Sequence, residues 1–476
     1  MASNVYDVIV VGAGLSGLQA ALDIQQAGLK CLVLEARDRV GGKTLSLRSN
    51  ISGQAVLKSE LGAAWINDTN QSSMWKLAQE LGLNTYQQNI IGDVVVQDTD
   101  GSLIKFQYGD VPKYPSVEDT ASCIAIRDLV HEASVSQSPS IFLDGPHRQY
   151  LDTISFETYL REAKVTAKGF ATAQVWTHAM VGCDPSEVSA LYFLEYCAAG
   201  GGLMTMRGDG KHGGQYLRVR EGTSAFAEGM AQKLIAGSLK LQSPVVSITQ
   251  AASNGSVSVT TRSADTRTFQ ARRVIISVPT PVYKTIAFSP QLPPAKTAVT
   301  NRTRYGFYTK YNVTFRRPFW LDKNHCGLAQ SFIGPISVIR DTSLDDGKTY
   351  CLTCFMGGKF GRKWAAQDAE GKKRSVLKQV ADIFADGTDI SDLFVEAFES
   401  PWMEEEYSGW GCPCPVTPPG VLAEAWDAMC APFGNLHFVG TELSRVWRGY
   451  MEGAVRSGSS GAAETLLGLK ATNPKL

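Results

Sequence analysis

The segment VYDVIVVGAGLSGLQAALDIQQAG, near the start of the chain, is compatible with few folds. Residues 5–10 are a β-branched apolar run. Gly12-Ala13-Gly14-Leu15-Ser16-Gly17 then opens an amphipathic stretch, and a second apolar run, CLVLE, ends at Glu35. Strand, glycine turn, helix, strand and an acid about 20 residues on is the order in which a βαβ unit holds a dinucleotide. Gly12 permits the tight turn, Gly14 lets backbone approach a pyrophosphate, and Gly17 lets the helix lie close to the strand. The helix start at Leu15 and Ser16 attracts phosphate charge. Glu35 is placed to accept hydrogen bonds from a ribose diol. A tight turn that binds nothing is the bland alternative, and the complete βαβ context argues against it.

Glu35 is followed by Ala36-Arg37-Asp38-Arg39-Val40-Gly41-Gly42-Lys43-Thr44. This resembles the EARxRxGGRT extension of the FAD-dependent amine oxidases, with Lys43 where the family carries arginine. The resemblance implies that Ala36, Arg37, Gly42, Lys43 and Thr44 close a second loop over the pyrophosphate. It also favours FAD over NAD, because a nicotinamide enzyme needs no such continuation. Near the other end, His437-Phe438-Val439-Gly440-Thr441-Glu442 and Trp447-Arg448-Gly449-Tyr450-Met451-Glu452-Gly453-Ala454 resemble the FxGTE…WxGYMEGA ending of the flavin monoamine oxidases. By that resemblance Gly440, Thr441, Glu442, Gly449, Tyr450 and Met451 meet the flavin end of the cofactor. Glu442 is expected near the ribityl–pyrophosphate region.

Between the ends, Glu60-Leu61-Gly62-Ala63-Ala64-Trp65 is similar to the family's loop beside the flavin ring. Val245, in KLQSPVVSIT, matches the backbone that meets adenine, and Trp402 is a further expected contact. The similarity covers nearly the whole chain, which is identified as a fungal-type, soluble member of the flavin monoamine oxidase family. The implied fold class is α/β: a Rossmann-like dinucleotide-binding domain with a discontinuous mixed-sheet substrate domain. The expected FAD-binding pieces are 1–86, 216–292 and 402–470. The substrate-binding pieces are 87–215 and 293–401, and 471–476 is a C-terminal tail. QYGDVPKYPSVED and AGGGLMTMRGDGKHGG read as loops.

The reaction implied is oxidation of a primary amine to an imine that hydrolyses to a carbonyl compound and ammonia, with O₂ reduced to hydrogen peroxide. Lys310, in YGFYTKYNVTFRRPFW, is the leading catalytic candidate. In the family a lysine ten residues before the tryptophan holds a water on flavin N5. Its bland reading is a solvated strand lysine. Tyr450 matches one wall of an aromatic cage that holds the amine by its electron-rich face. The partner wall falls on Pro413, which is not aromatic, so Trp410 is an alternative, with Trp402 and Trp447 expected to pack structurally. Gln215 matches a glutamine of the substrate cavity, and Met180 and Met206 are expected to line it. Arg207 and Lys211 are either a solvated loop or a mouth that receives carboxylates remote from the amine, as in a long-chain, polycarboxylated amine of the fumonisin kind. Polyamine and L-amino-acid oxidases, a flavin desaturase and a non-enzymatic flavin-binding assembly protein are the rival readings.

The stretch GWGCPCPVTPPG holds Cys412 and Cys414 one residue apart. A metal clip lacks a second ligand cluster, and prolines disfavour a redox pair. Counting back from Pro418-Pro419-Gly420, Cys412 falls where monoamine oxidases bond covalently to the flavin 8α carbon. Counting forward from Tyr407-Ser408-Gly409, the register fails by one residue. Covalent and non-covalent FAD therefore both remain open. Cys351 and Cys354 form a CxxC within a β-like run and read as buried strand thiols rather than a metal site.

Lys+Arg and Asp+Glu both number 46, so no global field draws the chain to nucleic acid. No apolar run is long enough to span a membrane, and no secretory signal is expected at the N-terminus. The partners expected are a small-molecule amine and O₂, and a homodimer or higher oligomer is compatible with the sequence. The terminal Pro474-Lys475-Leu476 resembles the peroxisomal address Ser-Lys-Leu, so a peroxisomal or cytoplasmic location is expected.

Overall fold

The computed structural model describes residues 5–51, 54–135, 146–251, 255–262 and 266–472. The Pro474-Lys475-Leu476 tripeptide lies outside the described residues. The fold is organised around two sheets. In the first, strand Tyr6–Val11 pairs in parallel with Cys31–Leu34 on one side and Arg267–Ile276 on the other. Leu239–Lys240 extends one edge; Val257–Thr261, Val245–Gln250 and Ala287–Ser289 extend the other, and Leu436–Phe438 adds to Arg267–Ile276.

Strand alternation explains why the first strand is apolar throughout. Val8 and Val10 pack under the helices Leu15–Gln26 and Met451–Thr472, with Leu18, Ile24, Val455 and Leu469. Ile9 and Val11 face the opposite side, among Leu32, Ile248, Val259 and Tyr283. With both faces buried, the strand cannot slip in register without exposing one of them.

The second sheet has seven strands, in the order Phe394–Glu399, Tyr308–Phe315, Tyr350–Gly357, Val338–Asp341, His325–Ser331, Asp93–Gln97 and Leu103–Gln107. Cys351 and Cys354 are buried in Tyr350–Gly357. Three residues apart on a strand, they point to opposite faces. A helical layer, including Val117–Val135, Ala167–Val181 and Ala190–Ala199, packs around Trp176, Phe193 and Leu194.

Two expectations are corrected. AGGGLMTMRGDGKHGG is not all loop, because Leu203–Arg207 is a helical turn that buries Leu203 and Met206, three residues apart on one face. QYGDVPKYPSVED ends inside a helix, with Glu118 and Asp119 in the first turn of Val117–Val135, where carboxylates favour the positive helix end. The last helix is Met451–Thr472. No described helix is long and apolar enough to cross a membrane.

Candidate active site

A cavity of about 450 Å³ runs from the first sheet into the second, within the roughly 300–1,000 Å³ usual for ligand sites. One end is a cradle of backbone. Gly12, Gly14, Leu15 and Ser16 line it at the start of helix Leu15–Gln26. Gly17 does not line it: a Cβ there would fall 2.1 Å from the Gly12 carbonyl, so this glycine serves the close packing of helix on turn. The helix carries no side-chain cap and no acid in its first turn, which leaves its N–H groups available to an anion.

Glu35 lines the cradle, with its carboxylate fixed by the Ala13 N–H at 2.7 Å and the Arg37 N–H at 2.9 Å. Arg37 Nε donates to Glu405 at 3.0 Å, whereas its Nη2 is buried without a partner among the described residues. An uncapped helix end and an orphaned guanidinium nitrogen in one glycine-walled trough suit a diphosphate. The residues present therefore fit a flavin dinucleotide. Ala36, Gly42, Lys43 and Thr44 complete this wall, and Val245 lies with Pro244 and Arg262 at its outer end. Gly440, Thr441, Glu442, Gly449 and Met451 close the far side. Glu442 is held by the Thr280 N–H at 2.9 Å, which ties its turn to the end of the first sheet.

Lys43 is a half-buried cation whose Nζ donates to the Tyr305 hydroxyl at 2.6 Å. Burial lowers its pKa, and the charge of Glu442 partly offsets this.

The other end is aromatic. Gly62, Ala63, Ala64 and Trp65 pass beneath it, and Trp402 holds the loop by donating from Nε1 to the Leu61 carbonyl at 2.7 Å. Lys310 projects from Tyr308–Phe315, opposite Phe355 on the neighbouring strand. Its Nζ donates to the Gly62 carbonyl and lies 5.4 Å from the Trp65 ring centre and 5.6 Å from that of Phe355. Burial pushes its pKa down to about 8, against the opposing pull of buried Glu60. A solvated strand lysine it is not.

Tyr450 lines this end, its ring edge-on to Trp447 at 4.9 Å. Its hydroxyl accepts from Gln215 Nε2 at 3.0 Å and donates to the Met206 carbonyl at 3.2 Å. Met180, Met206 and Gln215 line the cavity as expected.

The GWGCPCP loop borders the same region. Gly411 is required because a Cβ would fall 2.3 Å from the Tyr305 ring. Cys412 and Pro413 line the cavity. The Cys412 thiol donates to the Tyr308 carbonyl at 3.6 Å, and burial pushes its pKa up to about 12 despite nearby Lys43 and Lys310. Cys414 packs instead beside the Tyr192 hydroxyl at 3.5 Å, away from the cavity lining. Trp410 cannot replace the missing aromatic wall, for it is 45% exposed and off the cavity. Trp447 is buried behind Tyr450.

Arg207 lies in the cavity wall with its guanidinium 5.1 Å from the Trp176 ring centre. It makes no hydrogen bond or ion pair to the described residues. Burial and the like charge of Arg340 push its pKa down to about 10. Lys211, by contrast, is exposed and lines nothing; its carbonyl is held by Asn67 Nδ2 at 2.8 Å.

Sequence reasoning missed Arg340, Tyr308, Phe355, Trp176, Tyr196 and Gln330, which all line the cavity. Tyr308 was within reach: two residues before Lys310 on one strand, it shares that lysine's face. Arg340 had a weaker signal, a lone cation in the β-run of SVIRD.

The family model for flavin-containing amine oxidoreductases matches residues 15–466. A flavin-containing amine oxidase of Oncorhynchus mykiss is 30% identical over 469 residues, covering 98% of this chain and 86% of that relative. Flavin-containing amine oxidase B of Bos taurus is 30% identical over 472 residues, with 98% and 86% covered. Among solved structures, cyclohexylamine oxidase from Brevibacterium oxydans superposes with a TM-score of 0.89 at 26% identity, covering 98% of this chain and 99% of that one. A putrescine oxidase redesigned in its cofactor binding gives 0.88 at 25% identity, with 97% and 99% covered.

Proposed function

This chain belongs to the flavin-containing amine oxidoreductase family, an FAD-dependent enzyme by that membership, and from that premise we propose that it deaminates a primary amine with O₂ as acceptor. The amine and O₂ are the partners, and water, O₂ and R–CH₂–NH₂ give the aldehyde R–CHO, ammonia and hydrogen peroxide. The observation that carries the reading is one continuous cavity joining the dinucleotide cradle to an aromatic-walled end that holds Lys310. When bound, FAD supplies the electron acceptor for hydride loss from the carbon that bears the amine. Residues 1–86, 216–292 and 402–470 would hold it, through Glu35, Arg37, Lys43 and the turn at Gly440–Glu442.

The protein contributes position and exclusion. Tyr450 presents its ring face to the amine, with its hydroxyl fixed by Gln215 and Met206, so the ring cannot turn away. Lys310 and Arg207 keep this end cationic even with Arg340 paired to Asp209, which disfavours an ammonium ion and favours the neutral amine with a free lone pair. The aromatic and methionine walls keep water out. Lys310 keeps a charged donor at the reacting end, where it would assist oxygen reduction.

Arg207 directs the finer reading. A guanidinium without a partner in a cavity wall asks for an anion, so the substrate is an amine with a carboxylate remote from it, a long-chain or polycarboxylated amine of the fumonisin kind. A diamine would bring a second cation to this wall. Mixing the purified enzyme with primary amines in air should release peroxide and ammonia in equal amounts. Flavin present with neither product formed would leave only the non-enzymatic, flavin-binding reading.

We read cofactor attachment from Cys412. Its thiol hydrogen-bonds to the Tyr308 carbonyl and burial pushes its pKa up to about 12, which favours the neutral thiol, a poor nucleophile. Non-covalent FAD is expected: acid precipitation should leave the yellow colour in the supernatant. Colour retained in the pellet, and lost from the pellet of Cys412→Ser, would establish the covalent bond instead.

A further inference from the structure

Two guanidiniums share the substrate end of the cavity, and they are not equivalent. Arg340, on Val338–Asp341, lies 5.7 Å from the Trp65 ring centre and is ion-paired with Asp209. Arg207 has no such partner. Asp209 is 2% exposed and does not line the cavity. It reaches Arg340 from behind, on the loop that follows the Leu203–Arg207 turn.

That loop is built to keep Asp209 in place. The Asp209 N–H donates to the Tyr108 hydroxyl at 2.6 Å, and that hydroxyl stands 3.3 Å from the Asp209 carboxylate. The Gln215 N–H donates to the Gly208 carbonyl at 3.1 Å. Asn67 Nδ2 clamps the Gly213 carbonyl at 2.6 Å. A buried carboxylate opposite one arginine of two, on a loop tied down at both ends, is not a solvated loop acid. Its charge is part of the cavity's electrostatics, because screening by water is weak there.

We infer that Asp209 determines substrate specificity by charge count: it cancels Arg340, leaves Arg207 as the single uncompensated guanidinium, and so sets the cavity for one carboxylate of the substrate, any other staying outside it. This rests on the proposal that the substrate carries a remote carboxylate. Without Asp209 the two guanidiniums would together favour a dianion. Without Arg340, the buried Asp209 would oppose any anion at Arg207. A second carboxylate gains nothing in the native site, yet must still lose its hydration.

The test uses the FAD-loaded enzyme and two inert anions, butyrate and glutarate, with affinities measured by calorimetry and by competition against amine turnover. The native enzyme should bind glutarate no more tightly than butyrate. Asp209→Asn should bind glutarate at least tenfold more tightly than butyrate. Arg340→Gln should weaken butyrate about tenfold. The double variant Asp209→Asn with Arg340→Gln restores the native count, and its butyrate affinity should return to within about threefold of native. This recovery guards against loss of the fold, since structural damage from two substitutions would not cancel. Retained flavin absorbance checks loading in each case. If Arg207→Ala abolishes butyrate binding but Asp209→Asn leaves the glutarate-to-butyrate ratio unchanged, the charge-count role is wrong and the carboxylate reading stands. If Arg207→Ala changes neither affinity, the carboxylate reading itself fails.

Discussion

Lys310→Met should slow the reaction of reduced enzyme with O₂ by about 10²-fold or more, the usual cost of removing one preorganised donor from a buried reacting site. Reduction by amine should change far less. Lys310 sits on an interior strand of the second sheet, buried, its Nζ on the Gly62 carbonyl and beside the Trp65 and Phe355 rings. Methionine keeps the length and apolar packing of the side chain but removes the charge. The native rate should also carry a pH signature. With the pKa pushed down to about 8 by burial, the ammonium loses its proton as pH rises through that value, so oxygen reactivity should fall there. Lys310→Met should lack this dependence. Stopped-flow mixing of anaerobically reduced enzyme with oxygenated buffer reads both, and near-native oxygen reactivity in the variant would remove Lys310 from the chemistry.

Arg207→Ala should lower kcat/KM for a carboxylated amine by roughly 10–100-fold, because a charged hydrogen bond in a partly buried site contributes on the order of 1.5–3 kcal/mol. An alkylamine of equal chain length should change less than about threefold, since it never uses the guanidinium. The matched pair 6-aminohexanoate and hexylamine separates loss of the anion contact from loss of the fold. If the two amines are turned over equally by the native enzyme, and Arg207→Ala leaves both unchanged, Arg207 is a packing residue on Trp176 and no more.

The dinucleotide cradle was legible because its chemistry is local. Gly12, Gly14 and Glu35 lie within one βαβ unit, and spacing alone brings them to one trough. Lys310 and Tyr450 were legible only through resemblance, since 140 positions separate them and no local pattern joins them. The pairing of Arg340 with Asp209 was not legible. Their pairing depends on a strand of the second sheet meeting a loop from another part of the chain, and neither residue sits in a periodic or motif context. Gly17 keeps the part its place in the motif assigned it: it serves close packing of helix on turn and does not line the cavity. Lys211 read as an equal of Arg207 because both are cations in one glycine-rich stretch. Only the Leu203–Arg207 turn, which aims one inward and leaves the other outside, tells them apart.

The central claim is an FAD-dependent amine oxidase whose substrate end receives an anion at Arg207. Anaerobic mixing with 6-aminohexanoate, hexylamine and 1,6-diaminohexane, followed by flavin absorbance, tests it most directly. The predicted result is bleaching by all three, at low concentration fastest with the carboxylated amine and slowest with the diamine, and recovery of colour with stoichiometric peroxide when O₂ is admitted. Absence of bleaching by any primary amine, or fastest bleaching by the diamine, would contradict it.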